Sequence, residues 1–65
     1  MTVDGYRAMV RSLGLTPCRG SSGRHTLHVD RDGLIHRVPD PEYLSEEERE
    51  DMIELLKTLL GINTH

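Results

Sequence analysis

The chain has no phenylalanine, no tryptophan and only two tyrosines, Tyr6 and Tyr43. Its 65 residues must therefore build a core from leucine, valine, isoleucine and methionine. A single domain this short buries only about 60% of the surface that its unfolded chain exposes. Its margin of stability is narrow, and a partner that binds only the folded state widens it. Cysteine occurs once, at Cys18, which excludes an intramolecular disulfide and argues against a small secreted scaffold. No apolar run approaches the ~20 residues needed to cross a bilayer. Asp4, Arg7 and Arg11 interrupt the first residues, so no signal-peptide core is expected. The expectation is a soluble, monomeric protein of a bacterial cytoplasm, one domain over residues 1–65, with no cofactor and no metal.

Lysine is also scarce, with Lys57 alone. The charges that remain are sorted along the chain. Residues 1–38 hold six arginines against Asp4, Asp30 and Asp32, a net +3. Residues 39–65 hold eight acids against Arg49 and Lys57, a net −6, and the whole chain carries −3. Such asymmetry informs about partners rather than about fold.

Hydrophobic spacing supplies the elements. Tyr6, Met9, Val10 and Leu13 share one face of a helix over about residues 3–13, with Thr2 or Asp4 as its cap and Gly14 and Pro17 as its stop. "TPCRG" (16–20) reads as a short extended piece whose Pro17 suits a sheet edge. "GSSG" (20–23) reads as a loop. "RHTLHV" (24–29) alternates, with His25, Leu27 and Val29 on one side. "DRDG" (30–33) is a turn, and "LIHRV" (34–38) is the return strand with Leu34, His36 and Val38 on one face. The prolines of "PDPEY" (39–43) end the sheet. Ser45 and Glu48 form a capping box that opens a last helix. Met52, Ile53, Leu55, Leu56, Leu59 and Leu60 make its apolar stripe, Glu47, Glu50, Asp51, Glu54 and Thr58 lie opposite, and Gly61 ends it. The expected fold is α+β, a three-stranded antiparallel sheet with two helices on one face, in the order αβββα.

The run "RGSSGRHTLHVDRDGLIHRVPDP" (19–41) resembles the HicA-type toxins of bacterial toxin–antitoxin pairs. The matching pieces are Gly20–Ser21, Asp32–Gly33, Val38–Pro39 and Leu60–Ile62. The resemblance implies an αβββα, double-stranded-RNA-binding-like fold. It also implies a metal-independent endoribonuclease in which His25 is catalytic and an antitoxin neutralises the enzyme. A histidine that exchanges protons near neutral pH suits such a cut, and Arg19 and Arg24 would supply positive charge near the phosphate. The chain departs from the family in three ways. "SGR" separates Ser21 from His25, a single lysine replaces a lysine-rich surface, and the last helix is acidic. Acids beside RNA oppose the phosphates whose neutralisation dominates affinity.

Other constellations carry less. Cys18, His25, His28 and His36 match no paired zinc-ligand spacing, and ordinary hairpin histidines account for them. Ser21 and Ser22 lack the strand–turn–helix elbow and orienting acid of a nucleophile. "GSSG" lacks the lysine of a phosphate loop.

The acids of "SEEEREDMIE" (45–54) have a plain explanation as a solvated helix face. Two features go further. They are not balanced by lysines four residues on, so they repel one another, and Asp40 and Glu42 extend the patch. A row of carboxylates with a rise of about 1.5 Å per residue resembles a nucleic-acid backbone electrostatically. In size and charge layout, without a shared motif, the chain looks like small acidic phage anti-CRISPR proteins, some of which mimic DNA. The leading expectation is an interaction protein that performs no chemistry. It would inhibit a nucleic-acid-binding complex, such as a CRISPR surveillance complex, through Asp40, Glu42, Glu46, Glu47, Glu50, Asp51 and Glu54, which enter a basic groove. The alternatives are the HicA-type nuclease with His25 and a subunit whose helix completes another chain's core. The leading reading requires that the chain's own guanidinium groups leave those carboxylates unneutralised.

Overall fold

The computed structural model describes residues 1–61, with the side chains of residues 19–22 set aside. Ile62 of the "LGI" match and the Arg19 side chain therefore lie outside the described residues. Helix α1 spans Val3–Ser12, strands β1, β2 and β3 span Thr16–Ser22, His25–Val29 and Ile35–Pro39, and helix α2 spans Glu46–Leu59. The three strands form one antiparallel sheet in the order β1-β2-β3. This is the expected αβββα order.

Local chemistry sets each boundary. The Thr2 hydroxyl accepts from the Gly5 amide at 3.0 Å and caps α1. Beyond its last turn Gly14 takes φ 88°, a left-handed backbone that glycine adopts without strain, and the Arg31 side chain packs closely over it. The strand β1 runs farther than its composition suggests. Ser21 and Ser22 pair with Thr26 and His25, so "GSSG" is mostly strand, and the connection is the two-residue turn Gly23–Arg24. Gly23 supplies φ 63° at its first position. Between Pro17 and Ser21 the register shifts, so that Cys18, Arg19 and Gly20 oppose the single residue Leu27. That bulge, with Pro17 beside it, blunts the sheet's outer edge. At the far edge β3 begins at Ile35 rather than Leu34 and extends through Pro39, which pairs with His25. A 3-10 turn at Pro41–Tyr43, unforeseen in the sequence, leads to α2.

The register decides which face of the sheet meets the helices. Val38 is 1% exposed and opposite Thr26, while His36 is opposite His28. Thr26, His28, His36 and Val38 thus face inward. His25, Leu27, Val29, Ile35 and Arg37 face away from the helices. The core is Tyr6, Val10, Leu15, Val38, Ile53 and Leu56, ringed by Met9, Leu13, Leu44, Met52 and Leu60. Each fully buried aliphatic side chain contributes about 2 kcal/mol. The buried part of α2 is narrower than the stripe expected from its sequence: Leu55 and Leu59 are 49% and 64% exposed. The buried Tyr6 hydroxyl donates to the Pro39 carbonyl at 2.8 Å and ties α1 to the end of β3.

Candidate functional site

The helix α2 positions the acids. Its capping box is complete: the Glu48 amide donates to Ser45 Oγ at 3.1 Å, and the Ser45 amide donates to Glu48 Oε1 at 2.9 Å. Donation from the Ser45 amide, with the Ser45 side chain beside it, holds the Glu48 carboxyl below its ordinary range. Beyond the cap, Glu46, Glu47, Glu50, Asp51 and Glu54 are exposed. Glu46–Glu50, Glu47–Asp51 and Glu50–Glu54 are like-charged pairs four residues apart, each unfavourable by a few tenths of a kcal/mol.

Arg49 lies in the middle of these acids in sequence but turns the other way. Its Nε donates to the Pro41 carbonyl at 2.9 Å and its Nη1 to the Met1 carbonyl at 3.1 Å. Lys57 reaches Glu54 at 3.4 Å, and the Met1 ammonium lies 3.9 Å from Glu50. Both are exposed contacts of little strength. Among the described residues no guanidinium pairs with Glu46, Glu47, Glu50, Asp51 or Glu54.

The two acids before the helix behave differently. Glu42 pairs with Arg7 at 2.7 Å. Asp40 accepts from the Thr26 hydroxyl at 2.6 Å, and its amide donates to the Arg24 carbonyl at 2.8 Å. The patch that faces solvent without an arginine partner thus consists of the five α2 acids, and Asp40 is turned toward the sheet.

The histidines fall on different faces. His25 opens β2 on the outer face, where Arg37 of β3 is its diagonal neighbour. The Arg24 guanidinium lies 5.4 Å from the centre of the Tyr43 ring, a cation–π contact. His36 Nε2 lies 2.7 Å from Asp30 Oδ2, and the Leu34 and Asp32 amides donate to Asp30 Oδ1 at 3.0 and 2.8 Å. These bonds, His36 first, hold Asp30 below its usual carboxylate range. His28 Nδ1 lies 3.0 Å from the Thr26 carbonyl. It lines a cleft with Arg7 and Arg11 that the sequence reading did not single out. The one available signal was the spacing of two arginines four apart, which sets them on one side of α1.

Among the described residues no helix is long and apolar enough to cross a membrane. Comparison of the chain with protein-family models, with curated proteins and with solved structures gives no match.

Proposed function

We propose that this chain is an interaction protein that inhibits a nucleic-acid-binding complex by presenting α2 in place of a phosphate backbone. The orientation of Arg49 carries the reading. The one arginine among the acids serves two backbone carbonyls and leaves the carboxylates of the outward face to solvent. Five acids from Glu46 to Glu54 occupy about 12 Å of helix. That is one charge per ~3 Å, slightly denser than a single nucleic-acid strand with one charge per ~3.4 Å. A groove built to neutralise phosphates would attract such a face, and complementary charge speeds the encounter. In this reading the partner is a protein with a basic nucleic-acid groove, of the kind a CRISPR surveillance complex presents. The protein acts as an anti-CRISPR-like DNA mimic and needs no cofactor. The test is a pull-down from the native bacterial host, with DNA as competitor and the Glu47→Arg, Glu50→Arg double variant as control. Capture that DNA displaces and the variant loses supports the reading; undiminished capture by the variant overturns it.

The placement of His25 favours a second reading, a HicA-type endoribonuclease. His25 shares the outer sheet face with Arg37, which puts a proton-transfer group near a phosphate-binding charge. Expression of that enzyme would arrest growth, and His25→Ala would relieve it. Harmless expression of the unaltered chain removes this reading.

A further inference from the structure

A cleft of about 220 Å³ lies between α1 and the inner face of the sheet. Buried Val10, Leu15 and Val38 give it an apolar floor, and exposed Arg7 and Arg11 with half-buried His28 give it a polar rim. An apolar concavity with a few converging polar groups is the usual form of a small-ligand site.

The charged groups around the cleft are not equally engaged. Asp40 already accepts from Thr26. Arg7 is held by Glu42, but both side chains are more than half exposed, at 52% and 61%. Such a pair is worth at most about 1 kcal/mol, so Arg7 can exchange Glu42 for a better anion. Arg11 has no ion pair among the described residues. His28 is fixed in a particular way. A carbonyl oxygen can only accept, so the contact with Thr26 requires the proton on His28 Nδ1. In its neutral form the ring then keeps a lone pair on Nε2. The rim therefore offers guanidinium donors for an oxyanion and one imidazole acceptor for a hydroxyl.

We propose that this cleft binds a small phosphate ester that carries a neighbouring hydroxyl, such as a mononucleotide or a polyol phosphate. The tetrahedral group presents separate oxygens to Arg7 and Arg11, which stand one turn apart on α1, whereas a single guanidinium fork satisfies a carboxylate. The hydroxyl donates to His28 Nε2. The organic body lies on Val10, Leu15 and Val38. This site is on a different surface from the α2 acids, and its occupancy does not depend on them.

The test is an amide chemical-shift titration of the full chain with four probes: glycerol phosphate, uridine monophosphate, glycerol and succinate. The expected result is saturable shifts at Arg11, His28 and Val38 with one or both phosphates, and at least about tenfold weaker binding of glycerol and succinate. Which phosphate binds more tightly identifies the organic body. Arg11→Gln, a change at an exposed position, and His28→Asn should each weaken the phosphate about tenfold while the spectrum stays folded. Glu47→Arg with Glu50→Arg should leave the affinity unchanged. Absence of saturable shifts, equal binding of succinate, or an unaffected Arg11→Gln overturns the proposal.

Discussion

Arg49 bonds to the carbonyl of Met1, 48 residues earlier, through Nη1 at 3.1 Å, and to that of Pro41 through Nε at 2.9 Å. One side chain on α2 thus fastens both the start of the chain and the 3-10 turn. Hydrogen bonds from a charged donor contribute about 1.5–3 kcal/mol each at most. Arg49→Gln should therefore destabilise the fold by about 2 kcal/mol, read as the midpoint of urea unfolding. Arg49→Lys should recover little of this, because an ammonium cannot reproduce the fork that meets two carbonyls. Full stability in the glutamine variant would show that the contact is incidental.

How much of this was legible in the sequence depends on how far apart the interacting residues lie. The capping box of Ser45 and Glu48 was readable because both partners sit within one helical turn. The end of α1 was readable from Gly14, and the turn between β2 and β3 from "DRDG". Arg49 with Met1, and Arg7 with Glu42 35 residues away, leave no trace in local spacing. The composition of "GSSG" argued for a loop, but pairing with β2 overrode it, since β preference depends on neighbours more than on the residue itself. Period-two alternation identified the two faces of β2 without saying which met the helices. Val38 opposite Thr26 settled that through the register. Of the acidic site, the α2 positions were legible as a solvent-facing row. The inward engagement of Asp40 was not, because Thr26 is its partner through the fold.

The Tyr6 phenol gives an alkaline signature. Burial, with the nearby Asp40 charge, pushes its pKa up from 10.0 to about 12. Between those values the unfolded chain loses the proton while the folded chain keeps it, so stability falls as pH rises. The contribution is intact below pH 10 and gone by about pH 12. A shift of this size corresponds to roughly 2–3 kcal/mol. Urea midpoints measured from neutral pH upward should show the loss in the native chain. Tyr6→Phe should start about 1 kcal/mol lower, for want of the bond to Pro39, and lack that part of the alkaline slope.

Two carboxyls predict the acid limb. Asp30 is held below its ordinary 3.8 by His36 and by the Leu34 and Asp32 amides, and Glu48 below its ordinary 4.5 by Ser45. For a depressed carboxyl the folded state binds the proton less readily than the unfolded state. Its contribution is full above the ordinary value and is lost as pH falls through the folded one. Unfolding should therefore set in below about pH 4.5 and steepen below 3.8. Asp30→Asn should flatten the lower part of that limb when helicity is followed by circular dichroism. Ser45→Ala should cost about 1 kcal/mol at neutral pH as well, because the helix loses its cap. An acid limb unchanged by both variants would rule out these carboxyls as its source.

The apolar residues of α2 can be sorted by substitution. The six positions of its stripe cover about 160° of the helix surface, wider than the core can take up. Leu56 is 3% exposed and packs with Val38 and Ile53, whereas Leu55 and Leu59 are 49% and 64% exposed. Leu56→Ala should cost about 2–5 kcal/mol, the usual range for a truncated core leucine that leaves a cavity. Leu55→Gln and Leu59→Gln should each stay within about 0.5 kcal/mol, as surface changes do. Leu55 borders the acidic face one turn after Asp51, and exposed Leu59 continues that edge one turn farther, so the same two variants also probe the partner. If a basic groove reads α2 by charge alone, their binding equals that of the native chain. If the leucines anchor the contact, binding weakens about tenfold or more without loss of stability, since a few apolar anchors carry most of an interface's energy. A large stability loss in Leu55→Gln or Leu59→Gln would instead place these side chains in the core and contradict the packing of α2 described above.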